Sequence, residues 1–247
     1  MKKSFELLLN KIMRRIPFSR VHQLMVLWMG AQSDRDPKMN LINLFALDDE
    51  INREIDKTTF KYEKDQIHSK HRLTKYHDFF VDKLSPGERV LDIGCGYGAV
   101  AFSMASRAGA WVTGIDLSAT NIAKAKTNYQ HPNLEFIQGD ALIYLPEKPF
   151  DTIVISNVLE HIENRSGFLV SVQEKISPKR WLVRLPMFNR HWTVPLRKEL
   201  GIAYYSDPTH FTEYTTDSFR EEVGQANMKI ADLQINWGEI WAEIRYE

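Results

Sequence analysis

The sequence has almost no cysteine, no excess of either charge and no long apolar run, and each absence removes a class of protein. Cys95 is the single cysteine, which excludes an intramolecular disulfide and any multi-cysteine zinc centre. Lysine plus arginine and aspartate plus glutamate stand at 32 each. No overall field draws the chain toward nucleic acid, so no nucleic-acid partner is expected. No run of about 18 apolar residues occurs, and no membrane-spanning helix is expected. Lys11, Arg14 and Arg15 interrupt the early apolar residues, which predicts no secretory leader and a cytoplasmic protein. Glycine and proline are modest at 12 and 10 residues, and no stretch reads as a linker, repeat or low-complexity tract. What is present is the composition of a folded globular chain, 43% hydrophobic and 26% charged.

From Val90 onward, short apolar runs alternate with helical patterns. Residues 89–93, 111–115, 134–138, 150–156 and 180–185 read as five strands, and continuous apolar runs of this length indicate parallel strands buried on both faces. The fold class is therefore α/β, with a doubly wound sheet. Ser118 caps a helix carrying Ile122, Ala125 and Tyr129 on one face, and Phe168, Leu169, Val172 and Ile176 form a second stripe that stops before Pro178. Residues 186–215 show no period and read as an irregular insertion. A helix over 216–226 follows, then two strands over 229–236 and 239–246 across Trp237–Gly238, a hairpin at a sheet edge. Residues 1–85 contain no convincing strand. Phe5, Leu8, Leu9, Ile12, Met13 and Ile16 keep helical spacing up to Pro17, as do Leu73, Tyr76, Phe80, Val81 and Leu84. The chain thus divides into a helical cap over 1–85 and a sheet domain over 86–247.

The strongest local signal is Val90-Leu91-Asp92-Ile93-Gly94-Cys95-Gly96-Tyr97-Gly98, a strand running into a glycine-rich turn and a helix starting near Ala99. A sharp turn approached closely by a bulky ligand needs glycine. Gly94-x-Gly96-x-x-Ala99 also satisfies the dinucleotide fingerprint. Asp92 separates the two readings, because a carboxylate at the end of a buried strand repels a pyrophosphate and suits a cofactor with a cationic amino-acid tail, as in S-adenosylmethionine. Asp116 ends the second strand, where a carboxylate accepts both ribose hydroxyls, and Asp140 follows the third, within reach of an adenine amine.

With these residues in place the chain resembles the class I S-adenosylmethionine-dependent methyltransferases over roughly residues 86–247. Phe150-Asp151 before strand four and Ser156-Asn157-Val158-Leu159-Glu160-His161-Ile162 after it are similar to the small-molecule members. The resemblance implies a seven-stranded Rossmann-like sheet of order 3-2-1-4-5-7-6 with strand 7 antiparallel. It also implies that Asp92, Gly94, Gly96, Tyr97, Asp116, Leu117, Asp140, Ala141 and Asn157 line the cofactor.

Methyl transfer from a sulfonium is an in-line displacement, and much of its acceleration comes from holding acceptor and methyl collinear in a dry pocket. A hydroxyl acceptor also benefits from a base. His161 after strand four and His210 in Asp207-Pro208-Thr209-His210-Phe211-Thr212-Glu213 are the candidates, since imidazole titrates near neutrality. Each could equally anchor a loop. Glu160, His161 and His210 also resemble part of the metal set of the methyltransferases that modify small-RNA 3′ ends, Glu-x-x-Glu-His followed by a later histidine. Asn157 replaces the first glutamate, which leaves one carboxylate and two imidazoles, and metal dependence stays open.

The acceptor is expected to be a small molecule bearing a hydroxyl, such as a sugar. His68 and Arg72 precede the first strand, and Arg72 suits the cofactor carboxylate. Tyr204 and Tyr205 in the insertion suit a ring. The resemblance extends to methyltransferases of bacterial glycan and secondary-metabolite pathways. Two other functions compete, a nicotinamide-dependent oxidoreductase and an S-adenosylmethionine-binding subunit without activity. The basic, apolar residues 1–16 leave three arrangements open: packing on the chain's own core, peripheral contact with a membrane, or a homodimer contact.

Overall fold

The computed structural model describes residues 11–33, 35–63, 68–143, 145–146 and 148–246. It divides into two compact units, Met1–Gln66 and Ile67–Glu247. Residues 68–85 therefore group with the sheet, although their sequence reads as part of the helical cap.

The first unit contains α1 (Phe18–Ser33) and α2 (Pro37–Tyr62). Asp36 caps α2, its side chain accepting from the Met39 amide at 3.0 Å, and Pro37 occupies the first turn, where its missing N–H costs nothing. The helix expected before Pro17 falls partly on residues 1–10, outside the described residues. Its described end closes in a turn through Arg15 N–H to Ile12 O and Ile16 N–H to Met13 O.

The second unit opens with α3 (Ser69–Thr74) and α4 (Tyr76–Val81). The single helix expected across Leu73 to Leu84 is broken at Lys75, which adopts a left-handed conformation with φ of 53°. The break turns Leu73 to solvent while Tyr76, Phe79, Phe80 and Val81 are buried. The 3.6-residue spacing of Leu73, Tyr76 and Phe80 concealed it.

The sheet then follows: β1 (Arg89–Ile93), α5 (Ala99–Ala108), β2 (Trp111–Asp116), α6 (Ala119–Asn128), β3 (Leu134–Gln138), β4 (Thr152–Ser156), a 3-10 turn (Leu159–His161), α7 (Arg165–Ile176), β5 (Arg180–Pro186), α8 (Thr193–Leu200), α9 (Thr216–Gln225), β6 (Met228–Asn236) and β7 (Glu239–Tyr246). The strand order is β3-β2-β1-β4-β5-β7-β6. β1 to β5 are mutually parallel, and β7 runs antiparallel to both β5 and β6. Alternate side chains enter two separate cores. Leu91, Ile93, Ile153, Ile155, Val183 and Leu185 meet α7 and α9 through Phe168, Leu169, Phe219 and Val223. Val90, Val112, Val154 and Leu182 meet α4, α5 and α6 through Phe80, Met104, Ala105 and Ile122. Burial of both faces is why these strands read as unbroken apolar runs.

One further element differs from the sequence reading. The insertion contains α8, which stops at Gly201 with φ of 74°. The C-terminal hairpin closes the sheet as expected, with β7 antiparallel beside β5 and β6 at the edge. Trp237 and Gly238 supply the turn with φ of 55° and 73°, and a Cβ on Gly238 would lie 2.6 Å from Arg190 Cβ. The turn is thereby seated against the start of the insertion.

Several ionisable side chains are buried in the sheet. Arg184 in β5 is 4% exposed and holds Glu239 of β7 through two bonds of 2.7 and 2.5 Å. Asp92 in β1 is 2% exposed, and its Oδ2 has no hydrogen-bond partner among the described residues. Burial, reinforced by the charge of Asp116, pushes the Asp92 carboxyl up to about 8. The unfolded chain releases this proton near pH 4, so stability falls as pH rises between about 4 and 8. Asp92→Asn removes that cost. The ligand-free variant is expected to melt about 3–8 °C higher at pH 8 and about equally at pH 4.5, and thermal melts that coincide at pH 8 would contradict the assignment.

Candidate functional site

The site begins where β1 gives way to its glycine turn. Gly94 and Gly98 have φ of 71° and 85°. An added Cβ would lie 2.4 Å from Val158 Cγ2 at the first and 2.5 Å from Phe136 Cζ at the second. Both glycines are therefore fixed by conformation and by space. The turn is tied to β2, with Gly94 and Cys95 N–H donating to Ile115 O at 2.8 and 3.1 Å. Gly96 N–H donates to Asp116 Oδ2 at 2.9 Å, while Asp116 Oδ1 accepts from Ser118 N–H at 2.9 Å and Asn121 Nδ2 at 3.0 Å. A carboxylate has about four acceptor positions, so Asp116 keeps room for a ligand hydroxyl while fixing the turn.

A cavity of about 330 Å³ opens at this carboxyl edge of the sheet. Gly94, Asp116, Leu117, Asp140, Ala141, Asn157 and His161 are on its wall. Asp140 Oδ1 accepts from Leu142 N–H at 2.9 Å. Asn157 is left-handed, with φ of 56°, and its buried Oδ1 has no partner among the described residues. Asp92, Gly96 and Tyr97 are not on this wall; Tyr97 is half exposed under Lys124 Nζ at 4.7 Å. A larger hollow of about 510 Å³ lies at the opposite edge around Trp111, Lys148 and Phe150, and it holds none of these groups.

The unpartnered oxygens of Asp92 and Asn157 are what an ammonium or amine donor would satisfy. The donor set, acids and an amide around a glycine turn, thus fits S-adenosylmethionine. It does not fit a pyrophosphate, which the acids on the wall, Asp116 and Asp140, would repel.

Beside the cavity stand two histidines. Their rings meet edge to face with centroids 4.5 Å apart. His161 is on the wall, and His210 is buried behind it. Burial and His161 hold His210 below the usual imidazole range, against the raising pull of Glu213. His210 Nε2 lies 3.9 Å from Glu160 Oε1. Glu160 is fully buried, both of its carboxylate oxygens lack partners among the described residues, and burial pushes its carboxyl up to about 8. Glu160, His161 and His210 each offer a ligand atom within 4.8 Å of the others, enough to hold a cation.

The acceptor-side candidates are placed less uniformly. His68 uses Nδ1 to cap α3, accepting from Lys70 N–H at 3.0 Å. Arg72 is exposed on α3, and α3 lies at the carboxyl edge because Lys70 approaches Glu239 at 3.4 Å. Tyr204 and Tyr205 pack against each other at 4.5 Å, and Tyr205 comes within 6.2 Å of the His210 ring.

The sequence reading missed a second polar layer. The Arg184 guanidinium lies 3.9 Å from the centre of the Tyr76 ring and donates to Ser156 Oγ at 3.3 Å. Tyr76 OH meets His71 Nδ1 at 3.0 Å, and the same nitrogen lies 2.8 Å from His77 Nε2, whose Nδ1 reaches Ser103 Oγ at 2.7 Å. Burial holds His71 at about 4 and His77 at about 3, so both are neutral at pH 7. An arginine inside the run Trp181-Leu182-Val183-Arg184-Leu185 was the available signal, since a charge in a doubly buried strand requires a partner.

Residues 65–233 match the family described as a methyltransferase domain. The ubiquinone biosynthesis O-methyltransferase of Maricaulis maris is 40% identical over 96 residues, 37% of this chain and 37% of that protein. The protein of the same description from Paracidovorax citrulli is 32% identical over 132 residues, 51% of this chain and 55% of that protein. These matches span roughly half of the relatives' length or less. Among solved structures, magnesium protoporphyrin IX methyltransferase from Synechocystis with bound SAH superposes with a TM-score of 0.58 at 19% identity, covering 71% of this chain and 84% of that one. Such a likeness speaks for the fold. With the family match running from α3 into β6 and the acid-and-glycine cradle at the strand ends it spans, this chain belongs to the methyltransferase-domain family.

Proposed function

We propose that this protein transfers a methyl group from S-adenosylmethionine to a hydroxyl of a small molecule. One observation carries the reading: a single cavity wall holds Gly94, Asp116, Asp140 and Asn157 together with His161. When bound, S-adenosylmethionine supplies an electrophilic methyl group. Asp116 would accept from a ribose hydroxyl, Asp140 from the adenine amine, and Asp92 with Asn157 would face the amino-acid end. Gly94, Gly96, Tyr97, Leu117 and Ala141 complete the cradle. The relatives' description as O-methyltransferases supports oxygen as the acceptor atom. His161 or His210 takes the acceptor proton, and Tyr204 and Tyr205 offer ring surface at the same edge. Arg72 and His68 stand on or next to α3, where a carboxylate of either ligand would be met. Exposed Ile12, Met13 and Ile16 beside Lys11, Arg14 and Arg15 support peripheral contact with a membrane or a second subunit.

A divalent cation is a second reading. It is favoured by the grouping of Glu160, His161 and His210 and by the two unpartnered Glu160 oxygens, a two-histidine, one-carboxylate set that leaves positions open for substrate.

Three measurements test these readings. Calorimetry is expected to show S-adenosylmethionine binding and no nicotinamide binding, with affinity falling at least about tenfold in Asp116→Ala, a loss of about 1.4 kcal/mol; no heat with S-adenosylmethionine at saturation would end the proposal. His161→Ala or His210→Ala is expected to lower kcat at least about tenfold with cofactor affinity kept, and unchanged turnover in both would remove the histidine base. Chelator-treated protein titrated with Mg²⁺, Mn²⁺ or Zn²⁺ is expected to gain thermal stability that Glu160→Gln abolishes, whereas full activity and an unmoved melt would dismiss the cation.

A further inference from the structure

Both histidines of the site are held through their Nδ1 atoms by side chains of the insertion, His210 by Glu213 and His161 by Thr209. His210 Nδ1 lies 3.3 Å from Glu213 Oε1. The Glu213 side chain is fully buried and is itself fixed: Oε1 also accepts from Ser206 N–H and from Ser206 Oγ, and Oε2 accepts from Arg190 Nη1. Arg190 in turn donates to Met187 O at 2.9 Å and Tyr204 O at 3.1 Å. A carboxylate so surrounded by donors stays an acceptor, so the hydrogen shared with His210 belongs to Nδ1.

His161 reaches the same state by a different route. Its Nδ1 lies 2.8 Å from Thr209 Oγ1, and Thr209 Oγ1 lies 2.6 Å from Asp207 Oδ1. Asp207 also accepts from Thr209 N–H at 2.8 Å, and these bonds hold its carboxyl below the usual range. The threonine hydroxyl has one hydrogen. It goes to the Asp207 carboxylate, so toward His161 the hydroxyl oxygen is an acceptor and the imidazole is the donor.

We infer that Glu213 and the Thr209–Asp207 pair are positioning groups that lock His210 and His161 as Nδ1–H tautomers, leaving both Nε2 lone pairs open, that of His210 toward Glu160. The inference rests on the proposed role of these histidines for its purpose, and on hydrogen-bond geometry for its content. It adds to that role the reason why either imidazole is ready to take up a proton or a cation. Free neutral histidine prefers the opposite tautomer, so the lock has an observable signature. The groups responsible lie within a seven-residue run, 207–213, so one segment orients both rings.

The test is the long-range ¹H–¹⁵N correlation spectrum of ¹⁵N-histidine-labelled, chelator-treated protein at pH 8, with signals assigned by His161→Gln and His210→Gln. Nδ1–H patterns are expected for both residues. Thr209→Val, which keeps shape and removes the hydroxyl, is expected to move His161 to mainly Nε2–H, whereas Thr209→Ser is expected to keep Nδ1–H. Glu213→Met is expected to do the same to His210; if that variant fails to fold, the threonine pair still decides. An Nε2–H pattern for either histidine in the unaltered protein, or a His161 signal indifferent to Thr209→Val, would overturn the inference. Thr209→Val is also expected to lower kcat about tenfold, with Thr209→Ser restoring it and the KM for S-adenosylmethionine unchanged. The spectra need no acceptor, so they stand or fall separately from the methyl-transfer reading, which the turnover of His161→Ala and His210→Ala decides.

Discussion

The arrangement of the carboxyl edge depends on one buried ion pair. Arg184 and Glu239 face each other across β5 and β7 with bidentate geometry, and Trp241 Nε1 donates to the same carboxylate at 3.0 Å. A pair this deep is stable only when each remaining polar atom is occupied. That requirement draws in Ser156 from β4 and the Tyr76 ring from α4. It also explains the break at Lys75: an uninterrupted helix would carry Tyr76 elsewhere on its surface, and the guanidinium would lose the aromatic face that covers it. The pair thus aligns β4, β5, β7 and α4 around the place where ligands enter an open α/β sheet.

Around this balanced pair lie groups that are not balanced. Asp92, Asn157 and Glu160 keep buried oxygens without partners among the described residues, a cost that folding alone does not repay. Uncompensated polarity of this sort marks positions whose partner arrives with a ligand. The same contrast separates structural from functional acids here. Glu239 is surrounded by donors and held below its usual range even though burial opposes it, whereas Asp92 and Glu160 are held above theirs.

The sheet was legible in the sequence because its signals are local. Each parallel strand is an apolar run, and the turn from Gly94 to Gly98 is dictated by φ values that other residues rarely adopt. Asp116 and Asp140 were legible as strand-end acids, although their hydrogen bonds also cap and stiffen the turns they close. The acceptor side was not legible for the opposite reason. The partners of Arg184, His161 and His210 lie 55, 48 and 3 residues away respectively, and no periodicity links them. Glu213 stood in plain view three residues after His210, but only the fold of the insertion, with Arg190 and Ser206 brought to it, gives that carboxylate a direction. The break at Lys75 and the helix α8 were hidden differently, the first by a stripe that kept its spacing and the second by a segment crowded with aromatics.

Interior placement of β7 has a consequence for how the protein is made. The chain crosses from β5 to β6 at the edge before β7 slides between them, so Arg184 leaves the ribosome well ahead of Glu239, its carboxylate partner in the sheet. A nascent chain extending through β5 holds a finished glycine turn beside an unfinished neighbour, with a cation awaiting a strand not yet translated. The cradle and the acceptor edge therefore mature at different times during synthesis, and the second is completed only when the hairpin closes over Gly238.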